Sequence, residues 1–294
     1  MTRWTLADLG DPVATGRTSE VYAHPGRPDR VLKLFHGDVP GEEVEAEAEH
    51  IDVAVRAGLT GARCHGTAYV DDRTGLVLDR LDGGSLTRVA ERNPLQLRRS
   101  GRTLARLQAR MHEVAAPDLT DVRAAVLHAL DQAALSFLSP IEQAHTRGLV
   151  NALPDGDRLL HLDFHPENVI VTGDTTPADR AGSADRVVHH VIDWQTALRG
   201  DPAADVAATF LLFRDAELFP GLSLARKAVI VAGRRAFFEF YWAEYRRLTG
   251  LGHGAVAAWR APALVLRLAW DIPSERDRLR AALRAALAAD DAHR

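Results

Sequence analysis

A single cysteine, Cys64, stands in 294 residues, which excludes an internal disulfide framework and a zinc site built from several thiolates. Long apolar runs are missing too, so no stretch reads as a membrane span. The opening MTRWTLADLGDP has neither the basic start nor the apolar core of a secretory leader. These absences set the expectation of a cytoplasmic protein with no membrane partner. Basic charge is not in excess, with Lys+Arg 36 against Asp+Glu 40 and a net charge of -4, which argues against a nucleic-acid partner. The arginine-rich strings LQLRRSGRTLARLQAR and AEYRRLTG read as solvated helix faces. In the first, Leu97, Leu104, Leu107 and Met111 recur at helical spacing after Asn93 and Pro94, a capping and first-turn pair. No internal repeat is present. With 46% apolar and 26% charged residues, the composition is that of a globular chain large enough for two lobes.

What the chain does have is concentrated between residues 161 and 207, where HLDFHPENVIV is followed by VIDWQTALRGDPAADVA. Phosphoryl transfer to a hydroxyl asks little covalent work of a protein. It needs positioning, one acid beside the acceptor, and oxygen ligands for the cation that accompanies the phosphates. Asp163 is the candidate acid, and Asn168 and Asp193 are candidate ligands for Mg²⁺. Any one of Asp163, Asp193 and Asp201 taken alone reads as readily as a turn or helix-capping residue. Together they do not, because the apolar Val191 and Ile192 before Asp193 read as a buried strand carrying its polar end to a cleft.

The ordered pair HxDxHxxN and IDWxxAxxGDPxxDxA resembles the aminoglycoside phosphotransferase and related antibiotic or small-metabolite kinase family, which shares the protein-kinase fold. The resemblance implies an α+β, bilobal architecture, with a small antiparallel-sheet N-lobe carrying one helix and a larger, mainly helical C-lobe. It also implies that His161 braces the catalytic loop and that Asp205 anchors it from a helix N-terminal region. His165 is left either supporting the site or facing phosphate. Family members commonly carry glycine where Leu162 stands, so the larger side chain is expected to reshape the loop.

The amino half should then hold the nucleotide. Lys33 lies inside the apolar strand VLKLF, where a buried ammonium needs partners, so either it sits at the surface of an edge strand or, the favoured reading, it meets phosphates and a carboxylate. Val31 on that strand resembles the small apolar residue that contacts adenine in kinases. The helix EEVEAEAEHIDVAVRAGL offers Glu43, Glu45, Glu47 and Glu49 as partners for Lys33. The resemblance of the run from Glu47 to Leu59 selects Glu47, with Glu43 one turn earlier as the alternative. Upstream, ATGRTSEVYA aligns on Val21 with the kinase pattern GxGxxGxV, and only Gly16 of the three glycines is kept. The resemblance, in which serine or threonine often serves in this loop, implies that Thr18 and Ser19 donate hydroxyl or backbone groups to the β-phosphate. A plain surface hairpin is the competing reading. GLVLDRLDGGSL reads as a strand and hinge, with the backbone of Asp79 and Leu81 facing the adenine edge and Leu78 behind it.

Two domains follow: residues 1–84 as the nucleotide-binding lobe ending in the hinge, and residues 85–294 as the helical lobe with the catalytic loop, metal site and acceptor region. Helices are expected near 97–113, 122–136, 203–213, 224–247, 256–270 and 275–289, and residues 174–186 read as a flexible hairpin tip. The implied activity is ATP-dependent transfer of the γ-phosphoryl group to a hydroxyl of a small molecule, first of all an aminoglycoside or other antibiotic, in resistance or self-protection. The alternative is a kinase of a sugar, amino sugar or other metabolite. A protein kinase is less consistent, since IDW replaces DFG and no APE element follows, and a catalytically inactive nucleotide binder would have lost Lys33, Asp163, Asn168 or Asp193. Mg²⁺ and ATP are the expected cofactors, with GTP left open, and the expected state is monomer or homodimer. Asp215, Glu217, Glu239, Glu244, Asp271, Glu275 and Asp277 are candidate acidic linings for a cationic acceptor, although Arg234, Arg235, Arg246, Arg247 and Arg267 intersperse them. Trp242, Tyr245, Trp259 and Trp270 read either as stacking platforms or as core.

Overall fold

The computed structural model describes residues 3–92, 96–173, 187–215 and 224–291. In chain order the strands and helices are β1 (Arg3–Trp4), β2 (Ala14–Thr15), β3 (Ser19–Ala23), β4 (Arg30–Phe35), α1 (Gly41–Arg56), β5 (Cys64–Val70), β6 (Arg73–Asp79), β7 (Gly83–Ser85), α2 (Leu86–Arg92), α3 (Leu97–Met111), α4 (Val122–Ala129), α5 (Pro140–Ala152), β8 (Arg158–Leu160), β9 (Val169–Thr172), β10 (Val188–Val191), β11 (Leu198–Gly200), α6 (Pro202–Asp215), α7 (Leu224–Thr249), α8 (His253–Ala258), α9 (Arg260–Ala269) and α10 (Arg276–Asp291). The Asn93–Pro94 pair, the 174–186 insert and Glu217 lie outside the described residues, as does the side chain of Asp215.

Two compact units emerge, the first from residues 1–88 with 167–197, the second from 89–166 with 198–294. This grouping differs from a single division near residue 84. The reason is hydrogen bonding: β9 pairs antiparallel with both β7 and β10, so the segment after Pro166 completes the first unit.

The first unit carries a six-stranded sheet in the order β1-β5-β6-β4-β3-β2. It is antiparallel except at β1, which runs parallel to β5 through Arg3↔Tyr69 and Trp4↔Val70. Trp4 accounts for the exception, because it packs on the cluster of Leu9, Tyr22, Leu32, Leu34, Ala68, Val70 and Val77. Helix α1 keeps Val44, Glu47, Ile51 and Ala54 buried, a spacing of three to four residues that forms one face. It ends where Gly58, at φ 65°, lets Gly58 N donate to Val55 O (3.0 Å) and Leu59 N to Ala54 O (2.9 Å).

The second unit is helical apart from the two-stranded β8–β11 ladder. The expected helix near 122–136 stops at Ala129 and is followed by a 3₁₀ turn at Ala133–Leu135. The expected helix near 256–270 is two, α8 and α9, broken at Trp259, whose buried indole donates to Asp201 (3.1 Å). Helix α5 was not anticipated, although Ser139, Pro140 and Glu142 write a capping box for it. Helix α2 was not anticipated either.

Helices α3 and α7 approach closely at Gly101, where an added Cβ would stand 2.8 Å from Phe237 O. The Gly101→Val variant should therefore lose about 2 kcal/mol through overpacking. Gly148→Ala, in the interior of α5 with nothing within 4 Å, should gain about 0.5–1 kcal/mol. Thermal melts of the two variants check this contrast.

Candidate active-site residues

In the first unit, β4 delivers Lys33 to the protein interior, where its ammonium meets two carboxylates. Nζ lies 2.6 and 2.8 Å from the oxygens of Glu47 and 2.7 Å from Asp193 Oδ1. Of the four candidate glutamates, Glu47 is the one that meets Lys33, being on the buried face of α1. Glu43 instead accepts from Gln195 Nε2 at 3.4 Å. Burial opposes the Lys33 charge, but Asp193 and then Glu47 outweigh it and hold its pKa above the ordinary lysine value.

Asp193 reaches Lys33 because the chain around it is pinned. Val191 N donates to Leu59 O (2.9 Å), the residue fixed by the α1 terminus, and Ile192 N donates to Asn168 O (3.0 Å). Asp193 then turns at φ 65°, a left-handed conformation that aspartate tolerates better than most side chains. Asn168 is 8% exposed and stands directly before β9. A carboxylate and an amide are the hard oxygen donors that Mg²⁺ prefers, and two of them leave room for phosphate and water oxygens. The donor set fits that ion.

Gly16 to Ser19 form a tight turn, with Gly16 N donating to Ser19 O at 2.8 Å, so the region is a hairpin between β2 and β3. Thr18 Oγ1 donates to Gln195 Oε1 at 2.8 Å, linking the turn to the residues after Asp193, while Ser19 is buried. Val21 pairs with Lys33 across β3 and β4, and Val31 pairs with Ala23 and with Leu78. At the expected hinge, Asp79 N donates to Arg63 O (3.0 Å) and the Asp79 carboxylate pairs with His65 (2.6 Å). The Asp79 N–H is committed within the unit, which leaves its carbonyl as the group to offer a ligand. Leu81 is half-buried, next to β7.

In the second unit, Asp163 follows β8 in a segment organised by Asp205. The fully buried Asp205 carboxylate accepts from His161 N (3.2 Å) and Leu162 N (2.6 Å) through one oxygen. Its other oxygen meets Gln108 Nε2 (2.9 Å) and His112 Nε2 (2.9 Å). Tyr245 stands 2.6 Å from His112 Nδ1, Tyr241 donates to Gln108, and Thr209 Oγ1 donates to Phe164 O at 3.2 Å. His161 is buried edge-on to Phe164. Leu162 sits at φ 61°, a conformation at ease for glycine and strained for leucine, which gives the departure at this position a backbone consequence. Asp163 itself is flanked by His165 Nε2 at 3.7 Å and Arg267 Nη1 at 3.5 Å. Burial works against its ionisation, yet His165, then His161 and Arg267, hold the carboxyl below the ordinary aspartate range. The group is therefore an anion at neutral pH.

Several residues with two readings from sequence take one of them in the structure. Asp201 caps α6, accepting from Ala203 N (3.0 Å), the bland reading weighed for it. Trp242, Tyr245 and Trp259 are core residues, each under 5% exposed. Glu244 is enclosed by Arg102, Arg106 and Arg247, and Glu275 by Arg267. Gln108 and His112 went unnoticed as supports of Asp205, since their signal is only a polar residue on the buried face of an amphipathic helix.

Comparison with known proteins shows the family and the fold. The model of the phosphotransferase enzyme family matches residues 10–248. The chain belongs to that family. A streptomycin 6-kinase of Streptomyces griseus is 26% identical over 213 residues, covering 69% of this chain and 60% of the relative. A hydroxyurea phosphotransferase of Kitasatospora aureofaciens is 34% identical over 181 residues, covering 57% and 50%. The matched stretch thus spans about half to three fifths of the length of these curated relatives. Among solved structures, a Streptomyces rimosus aminoglycoside phosphotransferase in complex with ADP and streptomycin superposes with a TM-score of 0.51 at 19% identity, covering 89% of this chain and 93% of that one. Likeness at that identity carries the fold, which is the α+β protein-kinase-like fold.

Asp205→Asn should remove a buried, fully engaged anion and cost about 3–5 kcal/mol. His112 and Gln108 overcome burial to hold the folded-state pKa of Asp205 below 3.8. Its contribution is then fully present above that unfolded value and is lost as pH falls through the lower, folded one. Denaturant melts across acid pH should show the parent's stability falling more steeply in that window than the variant's.

Proposed function

We propose that this chain transfers the γ-phosphoryl group of ATP to a hydroxyl of a small molecule, an aminoglycoside or another antibiotic, in the cytoplasm. The observation that carries the reading is the buried Lys33 cation held between Glu47 and Asp193. A cation brought into the interior by two carboxylates on separate elements suits a group that must contact phosphate while one carboxylate serves a metal ion. Asn168 and Asp193 would hold Mg²⁺, which when bound supplies charge neutralisation at the phosphates. Lys33, oriented by Glu47, would bind phosphate oxygens. Gly16, Thr18, Ser19 and Val21 would cover them, and Val31 with the backbone of Asp79 and Leu81 would receive the base.

Asp163 would accept a hydrogen bond from the acceptor hydroxyl and direct its oxygen at phosphorus. As the new P–O bond forms and the bond to the leaving nucleotide breaks, the hydroxyl proton passes to the Asp163 carboxylate. In a loose transition state that transfer comes late, so an aspartate with a low pKa suffices and its main service is orientation. His161 and Asp205 would keep the segment in place. The relatives support an antibiotic or similar small molecule as acceptor, since their names specify streptomycin and hydroxyurea.

Two substitutions test the roles separately. Asp163→Asn should lower kcat by at least about 100-fold while Mg–ATP affinity is kept, because acceptor orientation is lost and the nucleotide groups are untouched. Turnover near the parent's, measured as ADP release with a panel of antibiotics, would contradict the assignment. Asp193→Ala should lose magnesium-dependent ATP binding by calorimetry, and binding as tight as the parent's would remove Asp193 from the metal site.

A further inference from the structure

We propose that Arg267 sets acceptor specificity: it reads an oxygen on the carbon next to the one that bears the reacting hydroxyl and rejects an ammonium group there. The inference rests on the reading of Asp163 as the residue that meets that hydroxyl. Arg267 lies in the last turn of α9, where a cation is favoured by the helix dipole. Its guanidinium is fixed from one side, with Nε 2.8 Å and Nη2 2.9 Å from the two oxygens of Glu275 and the ring of Trp270 4.6 Å from Cζ. This bidentate grip leaves the Nη1 edge of the fork turned to Asp163, 3.5 Å from Oδ1. That separation allows ion pairing but exceeds a hydrogen bond, so Nη1 retains donor capacity. A hydroxyl bonded to Asp163 would present its neighbouring substituent within reach of this edge.

A carboxylate, carbonyl or hydroxyl oxygen in that place would accept from Nη1, whereas an ammonium would meet a cation that cannot withdraw. Three acids of this unit are already engaged by arginines, Glu275 by Arg267, Asp271 by Arg276 at 2.9 Å, and Glu244 by Arg102, Arg106 and Arg247, while Asp163 is shared between Arg267 and the reacting hydroxyl. A polycationic antibiotic would consequently be modified at a hydroxyl flanked by oxygen, with its amino groups directed elsewhere.

Glycolate and ethanolamine form a matched probe pair, each a two-carbon alcohol whose second carbon carries either the carboxylate oxygens or an ammonium. Their binding is measured by ligand-observed NMR to the parent, Arg267→Gln and Arg267→Lys, with thermal melts verifying the fold. The parent should prefer glycolate. Arg267→Gln should weaken glycolate by about tenfold or more, the scale of a charged hydrogen bond, and improve ethanolamine. Arg267→Lys should restore part of the preference. Equal binding of the two probes to the parent, glycolate binding unmoved by Arg267→Gln, or no saturable binding of either probe would overturn the proposal. If Arg267→Gln does not fold, the parent's preference and the Lys variant still decide. Full turnover in Asp163→Asn would overturn the Asp163 reading alone, because probe selectivity is read by binding. Absent selectivity with Asp163-dependent turnover intact would overturn the Arg267 assignment alone.

Discussion

The first unit depends on one ammonium group. Lys33 is 7% exposed, and an unpaired cation so buried would cost several kcal/mol or lose its proton. Its charge is kept because a helix and a strand end each bring a carboxylate within 2.8 Å. That requirement fixes the rotation of α1, which must turn Glu47 inward among Val44, Ile51 and Ala54. It also fixes where the chain leaves β10, because Asp193 must reach the same nitrogen. The Gly58 terminus of α1 meets both demands at once, since it ends the helix and presents Leu59 O to Val191. The buried ion pair and the proposed phosphate site thus draw on the same three side chains.

The second unit is organised around an anion. Asp205 is fully buried, and the backbone N–H groups of His161 and Leu162 and the Gln108 amide donate to its carboxylate, with His112 Nε2 beside it. It holds the backbone at Leu162 in a left-handed turn that leucine would otherwise avoid, and so sets the direction in which Asp163 leaves the strand. The supporting side chains come from α3 and the residue after it, from α6 and from α7, and α3 approaches α7 closely at Gly101. Helix packing and acid placement are coupled through Gln108, His112 and Tyr245.

Much of this was readable in the order of residues, for physical reasons that can be named. The apolar runs before Asp193 and around Lys33 require buried strands, and a polar group at the end or middle of such a run needs a partner. The glutamate-rich helix offered four possible partners, and periodicity alone could not decide its rotation. The inward face was set by tertiary packing, which selected Glu47. The Ser139, Pro140 and Glu142 box of α5 was present in the sequence but escaped notice because its apolar stripe is weak. The break at Trp259 could not have been read, because it follows from an indole reaching Asp201, 58 residues away. The pairing of the candidate acidic linings with arginines was likewise invisible, since charge order along a helix does not reveal which partner lies across from it.

The central claim is that Lys33 and Glu47 act as one device for binding the phosphates. A double-substitution cycle with Lys33→Gln and Glu47→Gln, read by calorimetric titration of Mg–ATP, tests it directly. The account predicts that each single change weakens binding and that the double variant is little worse than either, the mark of a shared interaction. Additive losses from independent contributions, or single variants that bind as the parent does, would contradict it.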